Sequence, residues 1–413
     1  MATNLKWFTS NTTYAPQLNA TRGSLVDLLD ACLVTGFNEK TVTSITKDGD
    51  NITLHYDVAH GYRNYQILLL SEFDDANLNG EQQIVDITTN SITIIAQGVS
   101  LLTGGKSLVA PVGFEIKYQA PSKRVYKSSD PTQNPFYLRV DDSLDPVWTA
   151  TYAKFAKVGI LEDVEGIELE DIIGHQAPNS ATVPHPNWVG TGSGSNALCG
   201  WAKWYYAYAN GFSQNYADIS NQNSGNFTWM LVGDKSGFYF LPSCGNDGVG
   251  APYCFGMFDS FLDGDNFNCM LNATLDRQTA STGYAKILYT GLTWVNINAT
   301  IVLRGRTQVA NHALMKPVPI CYATDGNTAT TWAMISGKVD ILTRQGGAQF
   351  SSILLSEGGY LRGRAKWINW LYNARPYANF EVFIKNNIIY MARTVLSDSS
   401  STNGQVVMQI GEL

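Results

Sequence analysis

After residue 36 this chain offers almost no segment whose apolar residues recur at helical spacing. Short runs of alternating, β-branched and aromatic residues recur instead, separated by polar or glycine-containing breaks. Such a chain must pair strands across long sequence separations, so the expected class is mainly β. The period-two pattern is densest between Thr41 and Gln97. Val42, Ser44 and Ile45 run into the turn Asp48-Gly49-Asp50; Ile52–Tyr56, Tyr65–Leu70, Gln82–Ile87 and Ser91–Ile95 follow, with turns marked by Gly49, Gly61, Gly80 and Asn90. Five short strands predict a small antiparallel β-barrel or sandwich module over residues 41–98.

One helix precedes that module. Leu25, Leu28, Leu29, Cys32 and Leu33 fall at helical spacing, Ser24 is placed to cap them with Asp27 as the capping-box acid, and Gly36 closes the run. The predicted organisation is therefore an N-terminal arm and short helix over 1–40, the small β module over 41–98, a linker or domain edge over 99–125, and a larger β-rich domain over 126–413. Few short helices are expected in that last part. One is placed at Ala150–Leu161, and a Pro, Ser, Asn and Gly-rich loop at 174–198 marks a subdivision point. The strongest hairpin signal is Phe227–Val232, the turn Asp234–Gly237, and Phe238–Phe240. Further strands are placed at Ala285–Tyr289, Trp294–Leu303, Ser351–Leu355, Ala378–Ile384, Ile388–Thr394 and Gln405–Ile410.

Composition narrows the function classes. Only 15% of the 413 residues are charged, with 28 basic against 35 acidic side chains, where soluble domains average about 25%. A surface built with so little charge is covered by neutral Asn, Ser and Thr side chains or by neighbouring subunits. Lys and Arg form no face-long run, which argues against nucleic acid as a partner. No uninterrupted apolar window of about 18 residues predicts a membrane helix. The start Met1–Ser10 has neither the apolar core nor the cleavage site of a signal peptide. Cys32, Cys199, Cys244, Cys254, Cys269 and Cys321 are too sparse for a disulfide scaffold and are read as buried thiols.

Residues with chemical potential were weighed individually. His55, His60, His175, His185 and His312 match no metal-ligand interval, and Cys199, Cys244, Cys254 and Cys269 lack the paired spacing of a zinc site. Asp259, Asp263 and Asp265 lack the order of a calcium loop, and Asp141, Asp142 and Asp145 offer acids whose separation spacing alone leaves open. The glycines of 190–195 lack a phosphate-loop ending, and no nucleophile elbow is present. These readings assign no catalytic, metal or cofactor residue. Two aromatic groups remain: Trp201, Trp204, Tyr205, Tyr206 and Tyr208, and Trp367, Trp370, Tyr372 and Tyr377 around Arg362, Arg364 and Arg375. Core filling, subunit contact and a sugar-stacking platform are the three roles open to them.

Several segments taken together carry a resemblance. They are Lys6–Ser10, Ala15–Asn19, Gly23–Phe37, His60-Gly61 and Leu78–Gly80 ahead of strands, Val125–Pro131, Phe136–Asp142, the Phe227–Phe240 hairpin, Phe255-Gly256 leading to Gly264-Asp265, and Tyr360–Arg364. The chain resembles a family of tailed-bacteriophage virion proteins encoded among tail and baseplate genes. That resemblance implies a structural, non-enzymatic part of the particle, assembled in the host cytoplasm and located in the virion. The partners it implies are other tail or baseplate proteins and further copies of the same chain. The alternative expectation is a host-surface or glycan-binding module at the tail tip, with Trp201 and Trp204 as its platform.

Overall fold

The computed structural model describes residues 5–151, 154–180, 185–194, 197–198, 200–207, 224–243, 248–275, 290–292, 301–304, 312–318, 350–371, 377–399 and 402–413. Strands dominate, and three antiparallel sheets share the chain.

The small sheet has seven strands in the order Phe37–Val42, Gly105–Val109, Ile67–Ser71, Gly80–Ile87, Ser91–Ile95, Asn51–His55 and Ser44–Asp48. Its two outer strands are separated in sequence by Thr43 alone, so the path returns to its start and the sheet rolls into a half-barrel. The bend falls in Gly80–Ile87, whose first half pairs with Ile67–Ser71 and whose second half pairs with Ser91–Ile95. Alternation sets the inside: Ile52, Leu54, Ile84, Ile92 and Ile94 are fully buried. The strands flanking the expected 41–98 segment come from Phe37–Val42 and Gly105–Val109. The 99–125 segment, read from sequence as a linker or domain edge, thus gives Gly105–Val109 to this sheet and Phe114–Ala120 to the next. Gly104, Pro111, Gly113 and Pro121 fall between strands.

The middle sheet runs Thr274–Leu275, Ala202–Tyr205, Phe155–Val164, Tyr137–Asp141, Lys123–Ser128 and Phe114–Ala120, with Ile172–Ala177 also on Phe155–Val164. The helix expected at Ala150–Leu161 is absent. From Phe155 onward that segment is a strand, buried at every position through Leu161. Cover on both faces removes the alternation that would have marked it in sequence.

The large sheet starts at Lys6–Thr9 from the N-terminal arm and continues through Trp229–Asp234, Gly237–Pro242, Tyr253–Met257 and Cys269–Asn272. It then passes Ile301–Arg304, His312–Pro317, Phe350–Glu357, Tyr360–Leu371, Thr402–Glu412 and Ile388–Ser399, ending at Val382–Lys385. The expected hairpin is present, with Trp229–Asp234 paired to Gly237–Pro242. The strand placed at Ala285–Tyr289 and most of Trp294–Leu303 lie outside the described residues.

Two cores meet on this sheet. Trp229, Leu231, Phe238, Phe240, Phe255 and Leu271 face the first, shared with the helix, the small sheet and the middle sheet. Met230, Val232, Tyr239, Leu241, Cys254 and Met270 face the second, shared with Ile353, Ile368, Trp370, Val406 and Met408 from the far half of the same sheet. The two halves therefore curl around a common interior.

The helix spans Ser24–Asp30 and widens into a π-type turn over Ala31–Thr35, closed by Gly36. Its cap differs from expectation. Gly23 occupies the N-cap position, and the Ser24 hydroxyl donates to the Asn19 carbonyl at 2.8 Å. The Gly23 N–H donates instead to the Asp142 carboxylate at 2.7 Å. A residue of the middle sheet thus supplies the acceptor that a local side chain usually provides.

Gly237 sits opposite Gly256 in the large sheet, and a Cβ built on it would lie 2.6 Å from the Gly256 Cα. Neither backbone can retreat without breaking the ladder. Gly237→Ala is expected to cost about 1–3 kcal/mol through overpacking, read as a lowered urea midpoint.

Candidate functional site

Each group singled out from sequence has a defined setting. His60 is buried, stacks on Tyr62 at 5.1 Å, bonds the Thr88 carbonyl at 2.8 Å and accepts from the Tyr62 N–H at 2.9 Å. Burial pushes its pKa down, so it is a neutral structural imidazole. His55 bonds Thr46 at 3.0 Å and His185 bonds the Ser180 carbonyl at 2.6 Å. Cys32, Cys254 and Cys269 are buried; burial raises the Cys32 thiol well above its ordinary value and brings Cys254 to about 12. Cys199, Cys244 and Cys321 lie outside the described residues, as do Tyr208, Tyr372 and Arg375. Among the described residues no three His, Cys, Asp or Glu side chains gather as a metal-binding group. No helix among them is long and apolar enough to cross a membrane.

The Asp141, Asp142 and Asp145 carboxylates belong to two buried networks. Lys157 lies 3.6 Å from Asp141 and 3.2 Å from Asp145 and donates to the Trp188 carbonyl at 2.7 Å. Arg139 stands 3.6 Å from Asp141 and lies over the Trp188 ring at 4.5 Å. Burial would raise Asp141, but Lys157 and Arg139 outweigh it and hold its pKa low. Asp142 accepts from the Tyr206 hydroxyl at 2.6 Å and from Gly23, with Arg22 at 3.6 Å. These acids pin the helix and the 185–190 segment to the middle sheet, and all three are buried.

Trp204 is fully buried and donates to the Asn272 carbonyl at 3.0 Å, stacked on Tyr253 at 6.0 Å. It fills the core between sheets. The expected Trp201–Trp204 platform is therefore not assembled, because alternate residues of Ala202–Tyr205 are buried on both faces. Trp201 is half-buried.

The C-terminal group is different. Ser352 pairs with Asn369 and Leu354 with Arg364, so three extra residues bulge out of Tyr360–Leu371 between those pairs. Trp367 lies in this bulge with φ 57°, a left-handed conformation seldom adopted by bulky residues. At the same point the strand exchanges neighbours: Arg364 pairs with Asp259, whereas Ile368 pairs with Met408. The break opens a cleft of about 500 Å³ lined by Trp367, Lys366, Asn369, Gln409, Glu412 and Asp234, among others. Bulges commonly aim side chains at functional surfaces in this way.

Beside this cleft the hairpin turns at Gly358-Gly359, both at positive φ. Its tip exposes Tyr360 (81%) and Leu361 (54%), and the neighbouring loop exposes Phe261 (51%) and Leu262 (40%). The Phe261 N–H donates to the Arg362 carbonyl at 3.0 Å, which holds loop and tip together. Beneath them Arg362 is buried, paired with Asp265 and with Glu357 at 2.9 Å, and donates to the Ser260 hydroxyl at 2.6 Å. Burial raises the Asp265 carboxyl, but Arg362, Ser260 and the Phe267 N–H overcome it and bring it to about 2. Asp259 is paired with Arg364 at 2.9 Å. The Asp259 and Asp265 carboxylates act as braces for an apolar tip.

No family model matches the chain, and no curated protein matches its sequence. Among solved structures it is similar to a phage phi92 endosialidase, at 9% identity and a TM-score of 0.14, over 91% of this chain and 52% of that one. The aligned region thus spans about half of the endosialidase chain. At that score the likeness carries no argument about fold or function.

Burial pushes the Asp142 carboxyl up to about 7, against the pull of Tyr206, Gly23 and Arg22. An unfolded Asp ionises near ~3.9, so between these values the folded chain holds the extra proton. Stability therefore falls as pH rises through that window, by up to about 1.4 kcal/mol per pH unit. Asp142→Asn, which can still accept from Gly23 and donate to Tyr206, is expected to flatten that slope in urea titrations between about pH 4.5 and 8.

Proposed function

We propose that this chain is a structural, non-enzymatic component of a bacteriophage virion, in its tail or baseplate, acting through protein–protein contacts with other virion proteins and with further copies of itself. The observation that carries the reading is the braced apolar tip. Single exposed apolar residues are ordinary, but four together on a hairpin tip and the loop bonded to it are costly in water unless something covers them. The buried Arg362 network fixes their geometry before any partner arrives, which lowers the ordering cost of association. Charged and amide groups of the bulge cleft, including Arg364, Asp259 and Asn369, adjoin the tip. An apolar centre with a polar rim is the usual anatomy of a protein interface.

The low charge content supports the same reading, since neutral surface favours close contact over solvation. So does the resemblance of Gly23–Phe37, Phe136–Asp142 and Tyr360–Arg364 to tail and baseplate proteins.

Mass spectrometry of purified particles should find the chain, and its absence from them overturns the assignment. The double variant Phe261→Ser with Tyr360→Ser is expected to reduce incorporation into particles at least about tenfold, the loss of two interface anchors at about 1 kcal/mol or more each. Its melting temperature should stay within about 2 °C of the parent, as exposed substitutions usually do.

A further inference from the structure

A second cleft lies where the N-terminal arm, the small sheet and the C-terminal strands meet. Its volume is about 460 Å³, within the roughly 300–1,000 Å³ typical of small-molecule sites. Four aromatic residues line it, Trp7, Tyr62, Tyr65 and Phe380, and two of them have unusual backbones. Tyr65 has φ 68° and Phe380 has φ 66°. A bulky residue at positive φ is a genuine outlier, and such strain persists only where surrounding bonds enforce it. Here they do. The Tyr65 N–H donates to the Ile84 carbonyl at 3.0 Å, and its carbonyl accepts from the Trp7 indole at 3.2 Å. The Phe380 N–H donates to the Ala392 carbonyl at 2.9 Å.

The polar lining is as specific as the aromatic lining. Arg63 donates to the Asn11 carbonyl at 2.7 Å, and no carboxylate lies within ion-pair distance of its guanidinium among the described residues. No acidic residue lines the cleft among the described residues. Asn64 spends its amide oxygen on the Tyr65 N–H at 3.1 Å, and its amide nitrogen has no partner among the described residues. The Thr13 hydroxyl is in the same position. The cleft therefore offers aromatic side chains, solvent-accessible hydrogen-bonding groups and one guanidinium with no carboxylate in ion-pair range among the described residues.

We propose that this junction cleft is a binding site for a carboxylate-bearing saccharide. A sugar ring presents a C–H face that packs on aromatic rings and a hydroxyl edge that needs donors and acceptors. Its carboxylate meets the guanidinium as a bidentate, charge-assisted pair. The site is independent of the hairpin tip, so it stands or falls apart from the assembly role.

The test uses the full chain on an array of carboxylate-bearing saccharides and their neutral counterparts, followed by calorimetric titration of the tightest binder. Binding confined to the carboxylate-bearing set is expected. Arg63→Gln should weaken it at least about tenfold, the usual worth of one charge-assisted contact. Tyr65→Gly supplies the decisive control. Glycine adopts φ 68° without strain but gives up the packing of Tyr65 on the second core, so this variant is titrated well below its own melting temperature, where it should lose at least about tenfold in affinity. Absence of binding to every acidic saccharide, equal binding to the neutral set, or full affinity in both variants overturns the proposal.

Discussion

The central strands of the large sheet are covered on both faces, and most of the molecule follows from that. Each of its central strands sends alternate side chains into two different cores: Trp229 and Leu231 into one, Met230 and Val232 into the other. Neither face of these strands can be left in water. One face recruits the helix, the half-barrel and the middle sheet as cover, and the other is covered by the far half of the sheet itself. Backbone groups within such a stack have only each other as partners, so the ladder has to be complete from Lys6–Thr9 onward.

The same demand explains where the charge went. Lys6, Arg139, Lys157, Lys203, Arg362 and Arg393 are all buried, so the outer surface is even less basic than the composition suggests. Several of these interior cations tie elements that are distant in sequence. Lys6 reaches Glu81 of the half-barrel at 2.6 Å, Lys157 gathers Asp141 and Asp145, and Arg362 clamps the hairpin tip to Asp265. With these charges held inside, three features stand out on the described surface: the apolar tip, the bulge cleft with Asp234, Asp259, Arg364, Lys366 and Glu412, and the junction cleft with Arg63. Each occurs where a regular strand pattern is interrupted.

Parts of this were legible in the sequence. Alternation at Ile52–Tyr56 and Ser91–Ile95 gave away strands because one face of the half-barrel is solvated. The Phe227–Phe240 hairpin was legible because its turn residues are unambiguous. Phe155–Leu161 was not, since burial on both faces erases period two and leaves a run that reads equally as helix. The cap of the helix was misplaced for a related reason: its acceptor is Asp142, more than a hundred residues away, and local rules see only Ser24 and Asp27. Of the two aromatic groups, Trp204 fills the core between sheets, whereas Trp367 lines a cleft while its neighbour Trp370 is buried in the second core. Composition is alike in both, and a three-residue bulge separates their fates.

The sequence alone determined that this chain is a mainly β protein with a small strand module near its start, few helices and few charges, because those properties are written in local periodicity and residue counts. Only the tertiary structure decided which polar groups are braces and which are available. Asp141, Asp142, Asp145 and Asp265 are held by partners brought from other elements, while Arg63 and Asn64 line a cleft beside Tyr65 and Phe380. Burial and charge pairing depend on distances across the folded sheets, and no spacing along the chain encodes them.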